Sequence, residues 1–281
     1  MAAYLRPADL NEALAILAVP QPPMILAGGT DYYPARVGKP LDDDLLDITA
    51  IPDLRGIQDN ADHWRIGATV TWSELAAGDL PPFFDGLRQA AREVGGAQVQ
   101  NAGTLAGNLC NASPAADGAP MLMAMNARLE LLSKAGRREL PLTQFISGNR
   151  RTQLQPGELV AAILLPKPAH AARSVFLKLG ARRYLVISIA MAGLVLEVEE
   201  GLVRRAGLAI GACSAAAQRL PDLEQALVGQ KISPALAQRV RPEHFAALAP
   251  IDDIRADAAY RRDAAMTLTR RAIAALASQK S

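Results

Sequence analysis

The segment from Gln98 to Pro120 constrains this chain most, because it is rich in Gly, Ala, Asn, Ser and Thr and contains few large side chains. An amphipathic helix or strand needs a face of large apolar residues to bury. Gly103 and Gly107 permit backbone angles and close approaches that a Cβ forbids. The short polar side chains beside them are Asn101, Thr104, Asn108, Asn111 and Ser113. This composition predicts a loop wrapped around a polyanionic ligand.

A second glycine-containing turn lies near the start of the chain. Residues 24–27 form an apolar run that predicts a short buried strand, and Gly28, Gly29, Thr30 and Asp31 follow it directly. Consecutive backbone N–H groups after such a strand form a nest that binds phosphate, although an ordinary tight turn explains the same pattern. The G-x-G-x-x-G and G-x-x-x-x-G-K-[ST] fingerprints do not occur, which argues against the Rossmann and P-loop folds.

Together the two turns and three further segments carry a resemblance to a known family. The turns read Ala-Gly-Gly-Thr-Asp at 27–31 and Asn-Ala-Gly-Thr-Leu-Ala-Gly-Asn at 101–108. Residues that continue the second turn are Asn111, Ser113, Pro114 and Asp117. The further segments are 64–71, 176–182 and 253–262. The chain resembles the FAD-binding medium subunit of the molybdenum hydroxylases, which include carbon monoxide dehydrogenase and xanthine dehydrogenase.

One position departs from the family pattern. The family usually has two adjacent glycines in Thr-Ile-Gly-Gly-Asn, whereas this chain has Ala106 before Gly107. An added methyl is tolerated where the residue has a negative φ and its Cβ points away from the phosphate. We therefore expect FAD binding to be retained.

The resemblance implies an α+β fold. A two-lobed FAD-binding domain of the vanillyl-alcohol-oxidase/PCMH type is expected over 1–168, with lobes of about 1–55 and 56–168. A C-terminal antiparallel sheet with a helical bundle is expected over 169–281. Hydrophobic periodicity predicts strands at 64–68, 128–132, 159–164, 174–179, 187–198 and 204–211. It predicts helices at 6–17 with Asp9 as N-cap, at 72–77, 87–94 and 256–277, and from Pro221 and Pro234.

The resemblance also implies which residues bind the cofactor, and most of them belong to the two turns. The expected cofactor-binding residues are Leu26, Ala27, Gly28, Gly29, Thr30, Asp31, Tyr32, Asn101, Gly103, Thr104, Ala106, Gly107, Asn108, Ser113, Asp117, Lys178 and Tyr184. The phosphates are expected to accept the backbone N–H groups of Gly28, Gly29, Thr30 and Gly107.

Three of these residues have more specific expected positions. Asp117 is assigned to a ribityl or ribose hydroxyl, because a carboxylate would repel a phosphate. Lys178 lies by family position near the pyrimidine edge of the flavin, where a cation favours the anionic reduced form; the alternative is a solvated strand residue. The ring of Tyr184 is expected near the isoalloxazine, and ordinary surface packing is an equal alternative.

Charge and cysteine content exclude several other classes of site. The net charge of +2 is small and mixed along the chain, so we predict no nucleic-acid partner. Two cysteines are too few for an ordinary iron–sulfur cluster, and the three histidines show no metal-ligand spacing. Cys110 lies within the second turn, so contact with a bound flavin is one interpretation, and a small buried apolar side chain is the favoured one. Arg261 and Arg262, with Arg270 and Arg271, are expected to be solvated or to face another subunit.

These observations predict an electron-transfer subunit without catalytic acid–base residues. A partner with the molybdenum cofactor would act on the substrate, and a small partner with two [2Fe–2S] clusters would pass electrons to FAD and on to an external acceptor. A free-standing flavin oxidoreductase and a non-enzymatic scaffold that has lost FAD are the alternatives. The N-terminus lacks the features of a signal peptide, and no apolar run is long enough to cross a bilayer, so a cytoplasmic location is expected.

Overall fold

A small parallel sheet begins the chain in the computed structural model, which describes residues 2–278. Its elements are β1 (Tyr4–Leu5), α1 (Leu10–Leu17), β2 (Met24–Leu26) and β3 (Leu45–Asp47). The strand order is β1-β3-β2, and α1 packs against the sheet through Leu17. The carboxylate of Asp9 accepts the N–H of Glu12 at 3.1 Å, so the predicted helix and its N-cap are confirmed.

The middle of the chain forms a five-stranded antiparallel sheet and a short hairpin. The seven strands are β4 (Ile57–Asp59), β5 (His63–Gly67), β6 (Arg128–Ser133), β7 (Gly136–Pro141), β8 (Ile146–Gly148), β9 (Arg151–Thr152) and β10 (Leu159–Pro166). The sheet order is β4-β5-β10-β6-β7, and β8 pairs with β9 in the hairpin. Nearly every residue of β10 is buried, which explains its almost continuous apolar sequence.

Six short helices belong to the same part of the chain. They are α2 (Trp72–Ala77), α3 (Asp85–Glu93), α4 (Ala97–Ala102), α5 (Leu105–Asn111), α6 (Gly118–Ala124) and α7 (Leu142–Phe145). The predicted helix at 72–77 is confirmed as α2. Thr71 is the N-cap, since its side chain accepts the N–H of Glu74 while the Glu74 carboxylate accepts the N–H of Thr71.

The expectation that residues 98–120 form a loop without helices is wrong. Most of the segment lies in α4, α5 and the start of α6. The large apolar surface comes from elsewhere in the chain: a Cβ at Gly118 would lie 2.6 Å from the Trp72 ring. Small residues therefore allow these helices to pack closely against a large partner, while Leu105 and Leu109 of α5 are themselves fully buried.

A four-stranded antiparallel sheet and two α-helices follow. They are β11 (Ala171–Leu179), β12 (Ala190–Glu199), β13 (Leu202–Gly211), β14 (Gln218–Arg219), α8 (Pro221–Leu227) and α9 (Ala258–Ser278). β12 and β13 pair as an antiparallel hairpin. The segment Pro234–Arg239 is a 3₁₀ helix, so the helical part contains fewer α-helices than the sequence pattern predicts.

The C-terminal sheet lies between helices on both of its faces. One face packs against α6, where a Cβ at Gly207 would lie 2.0 Å from the carbonyl oxygen of Ala124 and one at Gly193 would lie 2.9 Å from the backbone of Met121. The other face packs against α8 and α9. Glycine on two neighbouring strands thus allows a helix from the middle of the chain to lie directly on this sheet.

Arg261 differs from its sequence-based expectation. Its side chain is only 3% exposed, whereas the neighbouring Arg262 is exposed. The Arg261 guanidinium donates to the carbonyl oxygen of Ile189 at 2.7 Å and pairs with Asp253 at 2.7 Å. Periodicity alone does not reveal this role, because the acceptors lie at the start of β12 and in the loop before α9. Arg261 therefore holds α9 against the sheet.

Candidate functional site

A cleft of about 730 Å³ lies beside β2, α5 and the start of β10. Its lining comes from residues 22–32 and from parts of 103–111 and 150–160. Apolar side chains from Leu17, Ile48 and Leu154 contribute to the wall. Such a concave, mainly apolar cleft with a few polar groups is typical of a binding site for an organic cofactor.

Gly28 joins the first predicted turn directly to the second. A Cβ at Gly28 would lie 1.9 Å from the carbonyl oxygen of Ala102 and 2.9 Å from the Cα of Gly103. Gly29 has a φ of +66°, in the left-handed region that side chains disfavour. Two segments that are far apart in sequence are therefore in backbone contact, and only glycine fits at Gly28.

The first turn presents a row of backbone N–H groups. Within residues 2–278, the N–H groups of Gly28, Gly29, Thr30 and Asp31 donate to no acceptor. All four residues line the cleft. Backbone donors need a partner, and a row of them is a nest for an anion.

In the second turn, the N–H of Gly107 has a partner within the protein, whereas the sequence analysis expected it to donate to a phosphate. The N–H of Gly107 donates to the side-chain oxygen of Thr104 at 3.0 Å, which caps α5. Because this donor already has a partner, the expectation that it binds phosphate is not supported. Ala106 is helical within α5, and its methyl group is buried in the middle core. The departure from the family's double glycine is therefore accommodated without a positive φ.

Asn108 carries a polar atom without a partner. Its side chain lines the cleft, and its Oδ1 is buried and accepts no hydrogen bond from any described residue. An unsatisfied buried acceptor costs about 1–3 kcal/mol, so a bound hydroxyl or water in this region would stabilise it.

The structure places most, but not all, of the predicted site residues on the cleft. Those on the cleft are Leu26, Ala27, Gly28, Gly29, Thr30, Asp31, Tyr32, Gly103, Thr104, Ala106, Gly107 and Asn108. Those outside its lining are Asn101, Ser113, Asp117, Lys178 and Tyr184. The ring of Tyr184 is 65% exposed, and the guanidinium of Arg183 lies 5.5 Å from its centroid.

Asp117 and Lys178 form a buried ion pair close behind the cleft wall. The ammonium of Lys178 lies 2.9 Å from the Asp117 carboxylate and donates to the carbonyl oxygen of Glu93 at 3.3 Å. The next residue, Val94, lines the cleft. The Lys178 side chain is 6% exposed, so the alternative of a solvated strand residue is wrong.

A hydroxyl group completes the environment of this carboxylate. Ser188, which is buried, donates to Asp117 at 2.9 Å. Burial raises the pKa of Asp117, and the Lys178 ammonium and the Ser188 hydroxyl oppose that shift. Both oxygens of Asp117 therefore have partners within the protein, whereas the sequence analysis assigned this carboxylate to a sugar hydroxyl of the cofactor.

Cys110 is a cleft residue that the sequence analysis placed wrongly. It is exposed toward the cleft, whereas Cys213 is buried. Protein atoms nevertheless surround the Cys110 thiol on most sides, and this desolvation raises its pKa to about 12. Cys110 belongs to α5 and not to a loop, and Asn108 and Asn111 of the same helix also line the cleft.

Two arginines on the cleft were also absent from the predicted set. Arg36 pairs with Asp43 at 2.7 Å and lies 3.8 Å above the ring of Tyr32, whose hydroxyl donates to the same carboxylate at 2.9 Å. Arg150 lies in the turn between β8 and β9. Neither has a motif around it, and only the tertiary structure brings them to the cleft.

The donors, acceptors and apolar walls of the cleft match the chemical groups of FAD. Its diphosphate requires N–H donors such as those of Gly28 to Asp31, its hydroxyl groups can donate to a free acceptor such as Asn108, and its ring systems require apolar walls. Because residue 28 is a glycine, the two turns can make the close backbone contact that this site requires.

Comparisons with known proteins agree with this chemistry. Residues 1–168 match the family model for the FAD binding domain in molybdopterin dehydrogenase, and residues 176–276 match that for the CO dehydrogenase flavoprotein C-terminal domain. The nicotine 6-hydroxylase medium subunit of Paenarthrobacter nicotinovorans is 28% identical over 279 residues, which cover 96% of this chain and 95% of that protein. The caffeine dehydrogenase subunit beta of Pseudomonas sp. (strain CBB1) is 30% identical over 286 residues, which cover 98% of this chain and 95% of that protein.

A solved structure has the same fold. Quinoline 2-oxidoreductase from Pseudomonas putida 86 aligns with a TM-score of 0.87 and 28% identity, covering 99% of this chain and 97% of the matched chain. The predicted α+β class, with its antiparallel C-terminal sheet, is thereby confirmed. None of the helices within residues 2–278 has the length and hydropathy needed to span a membrane. The chain belongs to the FAD-binding medium subunits of the molybdenum hydroxylase family, which are flavoprotein components of oxidoreductases.

Proposed function

We propose that this chain is the electron-transfer subunit of a heteromeric molybdenum-containing oxidoreductase. Electrons from the [2Fe–2S] clusters of a small partner subunit reach FAD in the cleft and pass to an external acceptor, while a large partner subunit holds the molybdenum cofactor and the substrate. The observation that carries this proposal is the row of four unpartnered N–H groups at residues 28–31, which line a cleft formed by a sequence that matches the family's FAD-binding domain.

The residues of the cleft have proposed roles in holding this cofactor. The N–H groups of residues 28–31 bind the diphosphate, and the exposed carboxylate of Asp31 and the amide of Asn108 bind sugar hydroxyls. Bound FAD supplies the capacity to take up two electrons and release them singly or as a hydride. The buried pair of Asp117 and Lys178 lies behind Val94 and sets the electrostatic field at that end of the cleft.

We also propose two domains, over 1–168 and 169–281. The family models match 1–168 and 176–276, which supports this division. One face of the C-terminal sheet forms an apolar core with α8 and α9, which supports the division as well, while the other face joins the core of the middle sheet through Phe176, Met191 and Val195.

Rapid mixing tests the proposed electron transfer. The purified chain is mixed anaerobically with the iron–sulfur partner subunit, which has been reduced with dithionite and desalted. We expect the flavin absorption band to bleach as the partner's clusters become oxidised. The same chain should not bleach with organic electron donors in the absence of the partner.

Each alternative has its own outcome in this experiment. Turnover of an organic donor by the chain alone would contradict the proposal and favour a free-standing flavin oxidoreductase. A folded, colourless protein that cannot be reconstituted with FAD would favour a scaffold subunit.

Alkylation of Cys110 reports whether the cofactor occupies the cleft. Because burial raises the pKa of this thiol to about 12, its reactive thiolate is scarce at neutral pH and increases steadily as the pH rises toward that value. We expect slow labelling by N-ethylmaleimide that accelerates between about pH 7 and pH 9 and is suppressed by FAD. Peptide mass spectrometry measures the labelling, and the buried Cys213 is the internal control. Equal labelling rates with and without FAD would contradict occupation of this cleft.

A further inference from the structure

Arg150 is a basic residue on the cleft whose charge is not neutralised by the protein. Its guanidinium donates to the side-chain oxygen of Asn111, which is a neutral amide. It forms no ion pair with a carboxylate anywhere in the described part of the chain, residues 2–278. The hydrogen bond therefore orients Arg150 and leaves its positive charge available to a ligand.

The other charged side chains of the cleft differ from Arg150. Arg36 is paired with Asp43, and the carboxylate of Glu158 is paired with Arg138 at 2.6 Å. The carboxylate of Asp31 is exposed at the cleft and would not attract an anion. Among the described cleft residues, Arg150 is thus the one cation that retains its full charge for an anionic group.

The backbone holds Arg150 in an unusual conformation. Its φ is +56°, and its N–H donates at 2.9 Å to the carbonyl oxygen of Ala112, whose φ is +47°. Left-handed conformations are uncommon for residues other than glycine, and a pair of them in contact persists only where the surrounding structure requires it. The β8–β9 turn is in this way attached to the end of α5, and Arg150 is held at the cleft.

We infer that Arg150 binds a phosphate oxygen of the dinucleotide cofactor, an inference that rests on the proposed function. The N–H groups of residues 28–31 bind the diphosphate from one side of the cleft, and the guanidinium adds a charge-assisted hydrogen bond from the β8–β9 turn. This contact supplies the positive charge that the backbone donors lack. Asn111 orients the guanidinium, and Arg151, which is outside the cleft lining, has no part in binding.

Titration of the full-length apo-chain with FAD at several salt concentrations tests this inference, with flavin fluorescence as the readout. Arg150→Gln is expected to raise the Kd at low salt by about tenfold or more and to reduce the dependence of the Kd on salt, because screening no longer acts on this contact. Arg150→Lys should retain most of the salt dependence. Arg151→Gln removes the same charge one residue away and should bind FAD like the wild-type protein.

The outcomes separate this inference from the proposed function. An Arg150→Gln Kd within about twofold of the wild-type value would overturn the role of Arg150. Weaker binding with an unchanged salt dependence and a lowered Tm would also overturn it, since that result shows that Arg150 only stabilises the end of α5. A folded wild-type chain that binds no FAD would instead contradict the proposed function itself.

Discussion

Replacing Gly28 by alanine is expected to remove most of the bound FAD. The new Cβ would lie 1.9 Å from the carbonyl oxygen of Ala102 and 2.9 Å from the Cα of Gly103, and both are backbone atoms that cannot rotate away. The first turn must therefore move off α4, and the N–H groups of residues 28–31 move with it. Overpacking of this kind costs about 1–3 kcal/mol or more, so we expect FAD affinity to fall at least about tenfold. The measurement is the amount of flavin released per folded chain on denaturation.

Gly78→Ala is the matched control for this substitution. A Cβ at Gly78 would lie 3.4 Å from the Leu80 side chain and 3.5 Å from the carbonyl oxygen of Glu74, which are ordinary contacts. It should retain the wild-type FAD content. A folded Gly28→Ala protein with a full complement of FAD would show that the backbone contact between the two turns does not form the site.

Lys178→Met is expected to destabilise the protein by about 3–5 kcal/mol at neutral pH, because it leaves the Asp117 carboxylate buried without its cation. Burial already raises the pKa of Asp117 above its ordinary value of 3.8, and loss of the ammonium raises it further. A carboxyl whose pKa is higher in the folded state lowers stability as the pH rises through the interval between its unfolded and folded pKa values. The deficit should therefore be small near pH 3.8 and grow toward neutral pH. Urea unfolding across this pH range measures it.

Two further variants check the cause of this effect. Asp117→Asn combined with Lys178→Met removes both charges and should recover much of the lost stability. Lys167→Met breaks the partly exposed pair between Lys167 and Asp59 and should cost less than about 1 kcal/mol. A Lys178→Met deficit that is the same at every pH would indicate that lost packing, and not the unpaired carboxylate, is responsible.

Several elements of the fold depend only on residues that are close together in the sequence. The strand before Gly28, the N-cap Asp9 and the long strands β12 and β13 follow from the order of residues alone, because strand alternation, caps and glycine turns depend on near neighbours. The expectation that the first of these strands is buried is wrong, since Met24 and Ile25 of β2 are exposed. The twelve predicted residues that line the cleft come from the same two turns. They were predicted from the family resemblance that these two turns carry.

The errors arose where a distant residue decides the structure. Residues 98–120 are largely helical because Trp72 provides the surface against which Gly118 packs. Arg261 is buried because its acceptors lie at Ile189 and Asp253, and sequence periodicity does not indicate such pairs. Cys110 was expected in the core, but it is exposed. Its exposure depends on which side of α5 faces the cleft, and the sequence does not show this.

The sequence by itself determined the family, the cofactor class and the two turns that meet at Gly28, since each depends on residue types in a short, ordered pattern. Only the tertiary structure decided which groups remain available to a ligand. The N–H of Gly107 is used by Thr104, both oxygens of Asp117 have partners in Lys178 and Ser188, and Arg150 keeps its charge. Hydrogen-bond satisfaction and burial depend on the whole neighbourhood of an atom, and that neighbourhood is assembled from residues far apart in the chain.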